Sequence, residues 1–210
     1  MLIKKGAEAS LYLEMWQNRK VIMKRRHPKK YRTSELDMMI RSQRTMHEPN
    51  IIHKAKRAGV PTPTIFRVDV AEANIVMEFV EGKQVKEVLD TISTKERMRL
   101  SVLMGRMIGR LHKRGIIHGD LTTSNMILTP YGKIVFVDFG LSERSMELEP
   151  KGVDLHLMKR ALQSTHYKHA KECFKVVMKG YAEAVGQEEA KKIAVKIREI
   201  EKRGRYVAER

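Results

Sequence analysis

Apolar positions change rhythm along the 210 residues of the chain. In the first third they come in short runs between turn residues. SLYLEMW and KVIMKRR are strand-length segments that predict a hairpin turning at Asn18 and Arg19. The stretch from Thr33 to Gly59 has helix-forming composition, with Thr33 or Ser34 as N-cap and Gly59 as stop. Pro49 lies inside it and is expected to divide or bend the helix, because a proline ring removes a backbone donor and clashes with the preceding turn. TIFRVDV and NIVMEFV then predict a second strand pair around AEA, ended by Glu81 and Gly82.

From the middle onward a helical period takes over. Leu100, Leu103, Met104, Met107, Ile108 and Leu111 share one face of a helix that stops at Gly115. A short strand NMIL, a turn TPYG and a strand KIVFVDF follow. Apolar repeats predict three more helices near 152–165, 170–185 and 187–203, the last carrying Ala190, Ile193, Ala194, Ile197 and Ile200. A strand-rich first third ahead of a helix-rich remainder predicts an α+β fold of two lobes, residues 1–82 and 83–210, with the boundary near Glu81 to Lys86.

Hydrophobic residues make up 42 % of the chain, which is ordinary for a folded protein. No apolar run approaches the roughly 18 residues needed to cross a bilayer, and MLIKKGAEAS lacks the apolar core of a secretory signal. A soluble cytoplasmic protein is expected, with no membrane partner. Cys173, the sole cysteine, excludes a disulfide framework and a cysteine-rich metal site. It falls among Phe174, Val177 and Met178 and reads as core, as does the helical spacing of the 14 methionines.

Charge alters the picture more. The 42 Lys and Arg against 25 Asp and Glu leave a formal +17, beyond what solubility requires, and favour a polyanionic partner, RNA or an acidic protein. The excess concentrates in KRRHPKKYR at 24–32 and in the C-terminal KIREIEKRGRYVAER. For Lys29, Lys30 and Arg32, contact with a partner and a plain solvated face are equal readings.

The candidate chemistry lies in IIHGDLTTSNMIL, residues 116–128. An Asp and an Asn sit there in a loop between buried segments, where unpaired polar groups would lose hydration without compensation. VFVDFG puts a further carboxylate, Asp138, at the end of an apolar strand, with the backbone freedom of Gly140 just beyond. A hairpin of NMIL and KIVFVD brings Asn125 and Asp138 to one end. Two hard oxygen donors with room left for phosphate oxygens suit Mg²⁺. Asp120 lies a few residues away, able to orient an attacking hydroxyl or accept its proton. His118 reads as an internal support of this loop rather than a base, and His112, His156, His166 and His169 have no metal-ligand spacing.

HGDLTTSN followed by VDFG resembles the catalytic and metal-binding loops of the protein-kinase superfamily. The resemblance implies ATP and Mg²⁺ as cofactors. It implies Lys24, at the end of VIMK, on the inner phosphates, and a carboxylate pairing with it: Glu48, with Glu35 the alternative in the same helical region. MEFVEG becomes a hinge, with Met77 beside the adenine and backbone groups of Glu78 and Val80 on its edge. KKGAEAS becomes the phosphate-covering loop, contributing Gly6, Ala7 and Glu8, with one glycine where kinases usually have three.

More narrowly, the chain resembles the small atypical kinases of the KEOPS complex, called PRPK in animals and Bud kinase in yeast. GAEA, HGDLTTSN, VDFGLS, KGVDLHLMKRALQSTH and the short basic tail carry that likeness. It implies a serine/threonine kinase or ATPase with a shortened helical lobe. The implied partners are a tRNA-modifying threonylcarbamoyl-transferase subunit, other KEOPS subunits and tRNA, in a complex that makes threonylcarbamoyladenosine.

Departures from ordinary kinases shape the expected activity. Gly119 replaces the arginine that would receive a phosphorylated activation loop, Thr122 stands where a lysine is usual, and no Ala-Pro-Glu follows Gly140. ATP hydrolysis, or phosphorylation of few proteins, therefore fits better than broad peptide kinase activity. Two other readings stand beside this one. The chain could be a kinase-shaped scaffold that holds tRNA through its basic tail with incidental hydrolysis. It could also be a small-molecule phosphotransferase, since aminoglycoside and choline kinases share His-Gly-Asp followed by Asn; the retained Asp-Phe-Gly and the lack of a large acidic insertion argue against that.

Overall fold

The computed structural model describes the backbone of residues 1–208 and the side chains of residues 1–203. The chain opens with β1 (Leu2–Lys5), β2 (Ala9–Trp16), β3 (Arg19–Arg26), α1 (Ser34–Arg57), β4 (Ile65–Asp69) and β5 (Asn74–Glu78). These strands form one antiparallel sheet in the order β1-β2-β3-β5-β4. The first hairpin turns on Gln17 and Asn18, one residue earlier than the sequence suggested, and Arg19 already pairs with Trp16. Both turn residues have positive φ, 48° and 59°, as the tight turn that matches strand twist demands. β1 was not expected. Its Leu2 and Ile3 are exposed, so only backbone pairing to β2 holds it and no burial pattern announces it.

Thr33 caps α1 by accepting the Leu36 N–H, and the helix runs through Pro49 unbroken, against expectation. The ring still forfeits the bond to the Thr45 carbonyl. Burial of Ile51, Ile52 and Ala55 just beyond it supplies packing that offsets the loss.

The rest of the chain comprises β6 (Lys83–Gln84), α2 (Val85–Val88), α3 (Thr94–Lys113), β7 (Ile116–Ile117), a 3-10 turn (Thr123–Asn125), β8 (Met126–Leu128), β9 (Ile134–Phe136), β10 (Glu143–Arg144), α4 (Leu148–Thr165), α5 (Ala170–Val185) and α6 (Gln187–Ala208). Small sheets β6-β8-β9 and β10-β7 sit among the helices. The strand expected over KIVFVDF is confined to Ile134–Phe136, which leaves Asp138 in a loop; α4 starts a turn earlier than expected. Ser93 caps α3 through the Glu96 N–H. Leu100, Met104 and Ile108 of α3 join Cys173, Val177 and Tyr181 of α5 in a core that also takes in Ile51 and Ile52 of α1. The helix behind the lysine-bearing strand is thereby tied to the helical part. Among the described residues no helix is long and apolar enough to cross a membrane.

Candidate active site

Side chains alternate across a strand, so Lys24 and Arg26 of β3 share the face turned toward α1. Both are buried, and Glu48 of α1, 1 % exposed, lies between them. Its Oε1 is 2.7 Å from Lys24 Nζ, and its Oε2 accepts from Arg26. Glu35 is exposed, so of the two glutamates it is Glu48 that meets the lysine. Lys24 Nζ is also 2.7 Å from Asp138 Oδ1. Burial alone would depress the Lys24 ammonium, but Glu48 and Asp138 outweigh it and hold its pKa above the ordinary lysine range. For Asp138, burial opposes the charge and the neighbouring Lys24 overcomes it, leaving the carboxyl below its usual range. Asp138 has φ 63°, a left-handed conformation that aspartate tolerates better than most residues.

The 3-10 turn after β7 carries Asn125, whose Nδ2 donates to the Asp120 carbonyl at 2.9 Å and to Asp120 Oδ2 at 2.8 Å. This fixes the Asp120 side chain and leaves Asn125 Oδ1 without a hydrogen bond among the described residues. Asn125 and Asp138 each carry a hard oxygen of the kind Mg²⁺ takes. No group of three or more His, Cys, Asp or Glu able to hold a metal occurs among the described residues.

Support for the loop comes from residues that the sequence did not single out. Asp154 of α4 is 1 % exposed and accepts the N–H groups of His118 at 2.9 Å and Gly119 at 3.0 Å. His112 Nε2 lies 3.1 Å from the same carboxylate, and His112 Nδ1 lies 3.1 Å from the Tyr181 hydroxyl. His166 spans Asp90 at 2.9 Å and Thr123 at 3.1 Å, which pins the 3-10 turn. An acid inside the apolar run VDLHLM was the available signal for Asp154. His118 is fully buried against Phe139, with ring centroids 4.6 Å apart, and its Nδ1 accepts the Asp120 N–H at 3.4 Å. Burial holds its pKa below the ordinary imidazole value, as a structural rather than a titrating role requires.

The loop around Gly6 is tied down by charge. Lys29 donates to the Ala7 carbonyl, and Arg44 pairs with Glu8 at 2.7 Å. Asp37 collects Arg41 at 2.7 Å, Arg32 at 3.6 Å and the Lys29 N–H at 3.1 Å. Lys29 and Arg32 are thus engaged within the molecule, and neither of the two readings from sequence describes them. Lys30 is exposed.

Gly6, Ala7, Glu8, Lys24, Asp120 and Asp138 surround one cavity of about 320 Å³. Met77, Glu78, Val80 and Asn125 do not line it. Met77 is buried in β5 opposite Ile22, and the Glu78 N–H donates to the Thr64 carbonyl at 2.8 Å. The C-terminal tail, expected to hold tRNA, has its side chains from residue 204 onward outside the described residues.

Comparison with known proteins extends this geometry. Residues 10–153 match the model of the RIO domain. The chain is 49 % identical to the KEOPS complex subunit Bud32 of Pyrococcus abyssi, covering 98 % of this chain and 96 % of that protein. It is 42 % identical to a probable serine/threonine-protein kinase BUD32 homolog of Archaeoglobus fulgidus, with 89 % of each covered. A probable bifunctional tRNA threonylcarbamoyladenosine biosynthesis protein of Methanothermobacter thermautotrophicus is 45 % identical over 98 % of this chain but 36 % of its own length. Among solved structures, the Rio2 kinase of Chaetomium thermophilum in its ADP/Mg²⁺-phosphoaspartate complex matches with a TM-score of 0.67 at 18 % identity, covering 96 % of this chain and 70 % of that one. The fold is therefore the two-lobed α+β fold of a protein kinase. Since the likeness to Bud32 runs nearly the full length of both chains and the RIO domain covers most of this one, the chain belongs to the Bud32 family of RIO-domain proteins.

Proposed function

We propose that this protein is a Mg²⁺- and ATP-dependent phosphotransferase or ATPase, acting in the cytoplasm as the kinase subunit of a KEOPS complex that supports threonylcarbamoyladenosine modification of tRNA. The observation that carries the reading is the Lys24 ammonium, 2.7 Å from both Glu48 and Asp138 at a cavity that Asp120 also lines. In this reading Lys24 holds the inner phosphates and Glu48 orients it. The Gly6, Ala7 and Glu8 loop covers the phosphates, and Asn125 and Asp138 hold Mg²⁺. The adenine, on this reading, extends past the lining of that cavity toward Met77, with backbone of Glu78 and Val80 on its edge. Magnesium supplies charge neutralisation across the phosphates when bound. Asp120, fixed by Asn125, accepts the proton of an attacking water or hydroxyl.

A narrow acceptor range is supported by two features. Gly119 has φ 80°, and a Cβ there would run into the Leu141 carbonyl, so an arginine for a phosphorylated loop has no space. Only residues 141–147 separate Gly140 from α4, a short span for docking a peptide. The bifunctional relatives, in which a region like this chain is part of one longer tRNA threonylcarbamoyladenosine biosynthesis protein, support a partner that acts in that modification. ATP turnover measured alone, with tRNA and with the partner subunit tests the proposal. Asp120→Ala is expected to lower turnover by about 100-fold or more, and wild-type rates in that variant would discard the enzymatic reading. Asp138→Ala is expected to lose more of the Mg²⁺-dependent nucleotide binding than Asp120→Ala does.

A further inference from the structure

A second hollow, of about 240 Å³, opens where the C-terminal ends of α1 and α3 meet the β7–β10 ladder. Lys54, Arg57, Arg114 and Arg144 line it around Ala58 and Ile116, and it shares no lining residue with the nucleotide cavity. Among the described residues no carboxylate lines it. Arg57, Arg114 and Arg144 are exposed, Lys54 is half-buried, and none of the four makes an ion pair or side-chain hydrogen bond with a described residue. Two cations that flank the hollow are engaged: Arg110 donates to the Gly59 carbonyl at 2.8 Å, and Lys56 donates to the Thr64 hydroxyl at 3.1 Å.

Negative helix ends account for part of this gathering, because cations in the last turn of α1 and at the end of α3 complement the helix dipoles. They do not account for Arg144. It arrives from β10, registered opposite Ile116, and adds a fourth positive charge where like charges already repel. Four cations brought together from three distant parts of the chain, over an apolar floor and with no acid among the described lining residues, are arranged for an anion from outside. Three of them are arginines, whose planar forks match phosphate oxygens.

We propose that this hollow is a docking site for the phosphodiester backbone of RNA. The inference rests on the tRNA partnership proposed above and locates a contact away from the C-terminal tail. RNA is favoured over an acidic protein by the +17 charge of the whole chain and by the tRNA modification that relatives are named for.

The test is binding of a tRNA transcript to the full chain across a salt series. Each phosphate contact contributes about −0.7 to −0.9 to the slope of log affinity against log salt. The triple variant Arg57→Gln, Arg114→Gln, Arg144→Gln is therefore expected to flatten the slope by about 2 to 3. It should also weaken low-salt binding at least tenfold, while ATP turnover without tRNA stays at wild-type level. A control variant removing the same charge from α5, Lys171→Gln, Lys175→Gln, Lys179→Gln, is expected to keep a near wild-type slope. Should the triple variant fold poorly, Arg144→Gln alone is expected to remove about 0.7 to 0.9 of slope.

Equal slopes and affinities for the hollow variant and wild type overturn the inference. If deletion of residues 202–210 abolishes binding while the hollow variant retains it, the tRNA partnership stands and this site falls. If the wild type binds no tRNA even at the lowest salt, both fall. Loss of polyglutamate binding with tRNA binding intact assigns the hollow to an acidic protein and overturns the RNA proposal.

Discussion

Glu48 accepts from two cations that are themselves nearly buried, Lys24 and Arg26. Such a cluster adds little net stability, because desolvation consumes most of the Coulomb gain, yet removing one member leaves charge buried without a partner. Glu48→Ala is expected to lower the unfolding free energy by about 3–5 kcal/mol in a urea titration. A change under about 1 kcal/mol would show that water reaches the two cations. Asp154→Asn keeps the shape but removes the charge that three N–H groups share, and is expected to cost about 1–3 kcal/mol. Because the loop it braces carries Asp120, ATP turnover should fall with stability; unchanged turnover would detach Asp154 from the site. Of these residues, Lys24, Asp120, Asn125 and Asp138 stood out in sequence because each lies in a short motif. Arg26 did not, since an arginine within KRRHPKK reads as surface charge until strand alternation turns it inward.

Among elements, the crossing of α3 and α5 is the tightest. A Cβ on Gly105 would meet the Val177 carbonyl, and one on Gly180 would meet the Val102 carbonyl, so two glycines let the backbones touch. Gly105→Ala and Gly180→Ala are each expected to destabilise by about 1–3 kcal/mol through overpacking. Gly186→Ala, at φ 96° and ψ 155° in open space, should cost backbone strain alone, about 1–3 kcal/mol. Thermal melts of the three variants check this, and a Gly105 variant as stable as wild type would mean that the helices separate without penalty. The helices themselves were legible, because an apolar period of 3.6 survives in a linear reading. The two-residue strands β6, β7 and β10 were not, because so short a strand has no period and forms only where its partner arrives.

For the molecule as a whole, acid sensitivity follows from His118. Burial holds its folded pKa below the ordinary value, and Asp154, Asp138 and Asp120 pull the other way without overcoming it. Below about pH 6.5 the unfolded chain takes up a proton that the folded ring refuses. The stability from this group is therefore complete above that pH and declines as pH falls toward the depressed folded value. His118→Gln is expected to flatten the acid side of the stability curve, read as urea midpoints at successive pH values. A variant whose midpoint falls in parallel with wild type would assign the acid sensitivity to another group.

Taken alone, the sequence determined the class of fold, the limits of α1, α3, α4 and α5 to within about a turn and the motifs that bear Asp120, Asn125 and Asp138. These depend on spacing along the chain. Only the tertiary structure decided which glutamate meets Lys24, that Lys29 braces the loop around Gly6 while Arg32 pairs with Asp37, and that Arg144 shares a hollow with Arg57 and Arg114 without an acid among the described residues. The reason is that charge pairing acts through space over a few ångströms. Residues 24, 48 and 138 come that close, and residues 57, 114 and 144 reach one hollow, only when distant segments pack, and no local pattern records which segments will do so.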